Sequence, residues 1–325
     1  MPKDDHLSNE LSISGTLTKS GVSVAAKSRA VAAFDRLLGS ALDIPVARLE
    51  SVADQIRARS EQEIRLIVAK GDAEFLEHQE EFGRGAAQDM LARHLKKTAN
   101  KKKIADKAIE FLNDDDAPQE ESDEVQEIEE DWLNWFENYA EKASTDQMQI
   151  HWARVLAGEI RKPKSFSLAT LRFLAEVDQD IANLFERETE YWIDGGFILK
   201  PKELKSQHLL DMTFLEEVGL LQEVNGNLQR TITSKSSGRV FIWEGNYGLA
   251  LKIKSTVSYE IIPITRIGRE ILSILPTKNH FAVLERLFAS MSGEIVSASI
   301  NMITKKSAGR RVVGVVKILK QEEKT

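Results

Sequence analysis

The sequence predicts an α+β protein with a helical N-terminal half and a mixed C-terminal half. Apolar residues recur at spacings of three and four up to about residue 192, which is the period of amphipathic helices. Beyond residue 196, short β-branched runs alternate with glycine-containing turns, as in strands and hairpins. The chain has 325 residues, of which 42% are hydrophobic and 29% charged, so we expect two or three folded units.

The first 112 residues predict a polar arm followed by a helical domain. Residues 1–20 are rich in Ser and Thr and have no apolar period, which is typical of a flexible arm. Residues 21–112 carry helical spacing throughout. Gly83 and Gly85 interrupt its long central tract, so we expect two or three helices there rather than one.

An acidic linker follows a short predicted helix at 104–112. Residues 113–124 read NDDDAPQEESDE and offer a core almost nothing apolar. The spacing of their carboxylates does not match a calcium-binding loop, so a solvated linker is the prediction.

Residues 125–194 predict a helical hairpin followed by a pair of helices. The two arms of the hairpin carry matching apolar stripes, with Thr145 or Ser144 as the cap of the second arm. A buried helix–helix seam explains the aromatic residues better than a ligand-binding aromatic box. The stripes consist of Ile128, Trp132, Trp135, Phe136 and Tyr139 on one arm and Met148, Trp152, Val155, Leu156 and Ile160 on the other.

Residues 195–276 predict a winged-helix-like unit. A helix over 205–218, with Phe214 among its inward residues, precedes Asn225-Gly226, which predicts a hairpin between strands at 220–224 and 228–232. Further strands and a helix capped by Thr265 follow. The segments FLEEVGLL and PITRIGREIL resemble the closing half of a winged-helix domain.

Two features depart from the winged-helix pattern. The wing region is too long for a simple hairpin, and the helix that would enter a DNA groove presents Asp211, Glu216 and Glu217. Acidic side chains repel phosphates, so such a unit would bind protein, or would bind DNA through its wing.

Residues 277–325 predict a small α/β element that ends in a basic hairpin. Charge is distributed unevenly: residues 108–194 hold 23 acidic and 7 basic side chains, whereas residues 227–325 hold 16 basic and 7 acidic ones. This asymmetry indicates contact with nucleic acid or an acidic partner, or neutralisation of one part of the chain by another. The candidate contact residues are Arg230, Lys235, Arg239, Lys305, Lys306, Arg310 and Arg311. The alternative for the hairpin, which the sequence favours, is a solvated tip that keeps an edge strand soluble.

No recognised catalytic motif occurs, and the chain has no cysteine. We therefore expect no metal, no cofactor and no small-molecule ligand, while a catalytic site assembled only by the fold stays open. The chain starts without an apolar leader and lacks a run of about 18 apolar residues, so we expect a cytoplasmic protein without a membrane span.

Residues 131–187 resemble an uncharacterised bacterial family and are similar in layout to the abortive-infection alpha proteins of phage resistance. The segments HWARVLAGEIRKP and SFSLATLRFLAEVDQDIANLF carry this resemblance. It implies a prokaryotic protein with a role in phage defence, and it brings no catalytic residues.

The leading functional hypothesis is a non-enzymatic regulatory or interaction protein. Its helical surfaces would bind a protein partner or a second copy, and its basic C-terminal region would bind an acidic partner. A nucleic-acid-binding regulator is the alternative, and a hydrolase is the second alternative.

Overall fold

The computed structural model describes residues 23–38, 79–113, 126–190, 192–193, 196–200, 206–234, 238–275, 279–306 and 309–321, with eight positions between 51 and 62. The chain folds as two compact units that divide between Ala175 and Glu176. Helices dominate the first unit and an antiparallel sheet the second, which confirms the α+β class. The predicted arm at 1–20 and nearly all of the predicted linker at 113–124 lie outside the described residues.

The described helices lie mainly in the first unit. Their bounds are α1 Val24–Leu38, α2 Gln79–Leu112, α3 Glu130–Ala140, α4 Asp146–Arg161, α5 Leu168–Glu176, α6 Gln179–Glu188, α7 Ser206–Glu217, α8 Arg266–Leu272 and α9 His280–Ser290.

The described strands all lie in the second unit. Their bounds are β1 Trp192–Ile193, β2 Phe197–Leu199, β3 Gln229–Thr233, β4 Arg239–Glu244, β5 Tyr247–Pro263, β6 Ser292–Lys306 and β7 Gly309–Lys320.

The helical hairpin predicted for residues 125–160 is confirmed as α3 and α4. Thr145 caps α4 by accepting a hydrogen bond from the amide of Met148, as its position in the sequence indicates. Phe136 and Trp152 are buried and meet edge to face, with ring centroids 5.5 Å apart. Trp135 differs from the prediction, since it is 48% exposed beside the seam.

A buried arginine from α1 fixes the C-terminal end of α4. The Arg29 guanidinium donates to the carbonyl oxygens of Ile160 at 2.6 Å, Arg161 at 2.8 Å and Gln126 at 3.3 Å. The last carbonyls of a helix have no partner within the helix, and a cation there also complements the helix dipole. Burial lowers the pKa of Arg29, and the nearby Glu159 carboxylate opposes that shift.

The turn after α4 is held by two buried side chains. The Glu159 carboxylate accepts from the backbone amides of Lys164 and Phe166, at 2.5 and 3.1 Å. The indole of Trp132 donates to the carbonyl of Phe166 at 2.8 Å. These bonds tie the predicted hairpin to the segment that leads into α5.

The predicted helix break at Gly83 and Gly85 and the predicted helix end at residue 192 were wrong. Gly83 and Gly85 lie inside α2, which also includes the helix predicted separately at 104–112. A glycine costs a helix only about 1 kcal/mol relative to alanine, which packing of the remaining turns offsets. The helix predicted to continue to residue 192 ends at Glu188, because Trp192 pairs with Ile198 as strand β1.

Strand β5 organises the sheet of the second unit. It pairs antiparallel with β2, β3, β4 and β6, while β7 pairs with β6 and β1 pairs with β2. One sheet therefore contains strands from residues 195–276, predicted as a winged-helix-like unit, and from residues 277–325, predicted as a separate element. The basic hairpin predicted within residues 277–325 is confirmed as β6–β7, and β4 and β5 form a second hairpin.

The hairpin predicted at Asn225-Gly226 was wrong. Residues 220–224 form no strand; Leu221 makes only an isolated bridge to Ile264. Strand β3 pairs with residues 256–260 of β5 instead. Leu220, Leu221 and Val224 are fully buried, so their apolar character serves packing after α7 rather than a local strand pair.

Candidate nucleic-acid interface

The sheet of the second unit has two chemically different faces. Leu249, Leu251 and Ile253 of β5 point into a core that includes Leu284 and Leu287 of α9. Successive side chains of a strand point to opposite faces of the sheet, so the residues that alternate with these three core residues belong to the other side. We call this other side the open face; it consists of Arg239, Phe241, Trp243, Gly248, Ala250, Lys252, Ser297, Ser299, Asn301, Val315 and Ile318.

The strand register arranges the open face in three rows. Residues that are directly paired across antiparallel strands share a face and lie about 5 Å apart. The first row is Trp243–Gly248–Asn301–Val315, the second is Phe241–Ala250–Ser299–Ile318, and the third is Arg239–Lys252–Ser297. Aromatic rings thus lie at one side, aliphatic side chains at the other, and small residues between them.

Two aromatic rings on β4 lie on this face, one exposed and one half-buried. The rings of Phe241 and Trp243 are nearly parallel, with an angle of 12° between planes and 5.5 Å between centroids. Phe241 remains 44% exposed, although it is a large apolar side chain. Exposed, parallel rings on an open sheet are the kind of surface on which unpaired bases stack.

Small residues bring the Trp243 ring close to the sheet backbone. A Cβ at Gly248 would come within 3.0 Å of the Trp243 ring and 2.7 Å of the Ile303 side chain. The neighbouring Asn301 is 4% exposed, and its amide donates to the carbonyl of Ser299 at 3.1 Å and to its hydroxyl at 3.2 Å. The surface between the aromatic and aliphatic sides is therefore formed by short side chains and is polar.

Cations occupy the row beside the aromatic rings. Arg239 pairs directly with Lys252 in the register, and Arg239 is exposed while Lys252 is half-buried. The three rows contain no acidic side chain among the residues that the structure describes. Two adjacent cations on an open face attract polyanions, and arginine also binds phosphate in a bidentate manner.

The structure separates Arg230 from Arg239. Arg230 pairs with the core residue Tyr259 and therefore belongs to the face opposite to that of Arg239. Its guanidinium lies 5.0 Å from the ring centroid of Phe197. Burial raises the pKa of the Tyr259 phenol, and the positive charge of Arg230, together with a hydrogen bond between the two side chains, opposes that shift. Arg230 thus lies apart from Arg239, at the edge of the core, and its contact with an acidic partner stays a prediction.

The other predicted contacts lie partly outside the described residues. Lys235 is not described. At the β6–β7 turn, the backbone of Lys305 pairs with that of Arg310, and the backbone of Thr304 with that of Arg311; Lys306 is the last residue of β6. The side chains of these four basic residues lie outside the described part of the structure.

Helix α7, the predicted groove-reading helix, is tied to α6 by charged side chains. Arg187 donates to Asp211 at 2.7 Å and to Glu188 at 3.0 Å. His208 Nε2 lies 3.1 Å from the buried Glu188 carboxylate, at an angle that does not make a hydrogen bond. Phe214, predicted to point inward, is 42% exposed, because Met212 and Leu215 fill the core side of the helix.

A cavity of about 360 Å³ lies beside this cluster, lined in part by Glu188, His208 and Arg286. Its described lining holds no hydroxyl or thiol nucleophile next to the histidine. Among the described residues there is also no group of three side chains that could hold a metal ion. The Glu188–His208 contact joins α6 and α7.

Sequence reasoning missed Phe241, Trp243 and Lys252 as parts of one surface. The signal was present as a period of two, since Arg239, Phe241 and Trp243 alternate with Val240, Ile242 and Glu244. Both sets contain large apolar residues, so the pattern alone does not decide which set faces solvent.

No helix in the described part of the chain combines the length and apolar character needed to cross a membrane. Residues 86–194 match a family described as protein of unknown function (DUF2806). This match includes the segment whose resemblance to an uncharacterised family was noted from the sequence, and it ends before β2. No curated protein and no solved structure matches the chain.

Proposed function

We propose that this chain is a non-enzymatic interaction protein that binds nucleic acid through the open face of its C-terminal sheet. The observation that carries the proposal is the row of Arg239 and Lys252 directly beside the stacked rings of Phe241 and Trp243. Cations neutralise phosphates, while aromatic rings offer surface to bases or sugars.

The position of the basic turn supports the same function. Lys305 follows Ser297, the β6 residue in the cationic row, by eight positions along one strand. At about 3.3 Å per residue the two positions lie about 26 Å apart, with the aromatic rows between them. A nucleic-acid chain running along β6 would have cationic positions at both ends of its path.

Charge distribution also favours a polyanion. Residues 227–325 carry 16 basic and 7 acidic side chains, although the whole chain has a net charge of −7. This C-terminal part of the sheet unit therefore attracts phosphates locally in an otherwise acidic protein.

The helical unit would supply the second half of the activity, by binding a protein partner or another copy of the chain. Partly exposed Trp135 beside the α3–α4 seam supports such a contact. A role in phage defence and a winged-helix relationship, both drawn from resemblance, stay predictions.

The test measures the affinity of the full chain for labelled nucleic acid by fluorescence anisotropy, over a range of salt concentrations. We expect binding at 50 mM salt that weakens steeply as salt increases. Each phosphate contact contributes about 0.7 to the slope of log affinity against log salt for single strands. The double variant Arg239→Gln/Lys252→Gln should therefore reduce that slope by about 1.4.

The matched control is Arg266→Gln/Lys317→Gln, which removes the same charge from elsewhere in the sheet unit. Arg266 pairs with Glu270 on α8, and Lys317 pairs with Glu285 of α9 on the covered side of the sheet. Equal effects of the two double variants, or no binding of any nucleic acid at low salt by folded protein, would refute the proposal.

A further inference from the structure

We infer that the open face selects single-stranded over double-stranded nucleic acid, with one unpaired base stacked on Phe241. This inference rests on the proposed function and names the class of nucleic acid that the site takes. The observation behind it is that the side chain beside the cationic row is an exposed aromatic ring rather than a hydrogen-bonding side chain.

The exposed ring of Phe241 distinguishes single strands from duplexes on geometric grounds. Base faces inside a duplex are covered by neighbouring base pairs, so an internal base pair has no free face to stack on a protein ring. A single strand turns its bases outward while its phosphates remain free. Phe241 contributes to binding only in the second case, whereas Arg239 and Lys252 contribute in both.

The dimensions of the face fit one strand. The four strands β4 to β7 span three inter-strand spacings of about 4.8 Å, or about 14 Å from the aromatic side to Val315 and Ile318. The centre of the face carries only short side chains, at Gly248, Ala250 and Ser299. A nucleic-acid backbone therefore fits across the centre while one of its bases reaches the Phe241 ring.

Charge complementarity selects nucleic acid rather than an apolar protein surface as the occupant. The cationic row directly adjoins the ring, and the three rows carry no carboxylate among the described residues. The exposed carboxylate that lies beyond this row along β6, that of Glu294, is paired with Lys254. A protein strand docked there would bring no regular array of anions to Arg239 and Lys252. A nucleic-acid strand supplies such an array, because it carries a phosphate at each nucleotide.

The experiment compares three probes of equal length on the full chain: a mixed-sequence single-stranded DNA, its duplex, and an abasic deoxyribose-phosphate oligomer. We expect the single strand to bind about tenfold or more tightly than the other two. Phe241→Ala should weaken single-strand binding by about tenfold and leave the duplex and the abasic oligomer within twofold, because stacking acts on bases alone.

Phe214→Ala is the matched control, since Phe214 is 42% exposed on α7 and lies outside the open face. It should leave all three affinities unchanged. Phe241→Leu keeps an apolar side chain and should lose the preference, whereas Phe241→Tyr should retain it. Circular dichroism melting of each variant verifies the fold.

The outcomes separate this inference from the proposed function. If single strand, duplex and abasic oligomer bind equally and only Arg239→Gln/Lys252→Gln weakens them, the inference is overturned and nucleic-acid binding stands. Equal losses for Phe241→Ala and Phe214→Ala overturn it as well. If no probe binds to the folded chain, the proposed function fails and the inference fails with it.

Discussion

Replacing Arg29 with methionine is expected to destabilise the helical unit strongly. The methionine side chain retains the apolar stem and removes every bond that the guanidinium donates to the carbonyls of Ile160, Arg161 and Gln126. The Ile160 bond is buried, and a buried carbonyl left without a donor costs about 1–3 kcal/mol. The other two bonds are partly exposed, so water replaces them at about 0.5–1.5 kcal/mol each.

The lost hydrogen bonds therefore destabilise the Arg29→Met variant by about 2–6 kcal/mol in total. The variant also no longer buries a charged guanidinium, and the free energy gained in this way must be subtracted. That gain is real, because burial lowers the pKa of Arg29. We expect a net loss of about 3 kcal/mol in the free energy of unfolding of the first unit. Native-state hydrogen exchange of peptides from α4 measures this directly, as a loss of protection of about a hundredfold.

Arg36→Met on the same helix is the control. Arg36 pairs with Glu130 at 3.3 Å on the surface, and exposed ion pairs contribute less than about 1 kcal/mol. An effect of Arg29→Met below 1 kcal/mol, or one equal to that of Arg36→Met, would refute the assignment of Arg29 as the cap of α4.

Two further predictions concern the sheet unit. Gly268→Ala would place a Cβ 2.5 Å from both the Leu220 carbonyl oxygen and the Ile264 side chain, so we expect a loss of about 1–3 kcal/mol in urea unfolding; Gly314→Ala, with no atom within 4 Å of its Cβ, should cost nothing. The raised pKa of Tyr259 means that its phenol loses its proton in the unfolded chain before it does so in the folded one. Stability should therefore fall as pH rises above about 10, and Tyr259→Phe should remove that part of the fall; identical pH profiles of the two proteins would contradict the effect of burial.

The helical hairpin was predictable because its determinants are local. Apolar spacing placed α3 and α4, and the hydroxyl of Thr145 marked the first turn of α4 before any tertiary contact was known. The same holds for Thr265, which accepts from the amide of Gly268 at the start of α8. Such signals need only neighbours within one turn.

Strand pairing and buried charge were not predictable in the same way. The choice between residues 220–224 and residues 256–260 as partner of β3 depends on contacts that are distant in sequence. Glu244 resembles a surface residue in the sequence, yet it is fully buried with His280 Nδ1 3.2 Å from its carboxylate. Nothing local in either residue indicates the other.

The same limitation applied to the candidate interface. Arg239 was identified from its charge, but its partner Lys252 and the exposed ring of Phe241 become one surface only when β4 and β5 pair. Arg230 carries the same charge and lies on the opposite side, beside Tyr259. Basic character indicated the region, and only the register assigned individual residues to it.

The central position of β5 has a consequence for the order in which the molecule assembles. Hairpin α3–α4 joins segments separated by a few residues, so its loop closes rapidly. Strand β5 must instead find β2 and β3 upstream and β6 downstream, over separations of tens of residues. During synthesis the helices can therefore form on the ribosome while β5 still waits for β6. Until then β6 does not cover the edge of β5, and the unpaired edge is prone to aggregate during that interval.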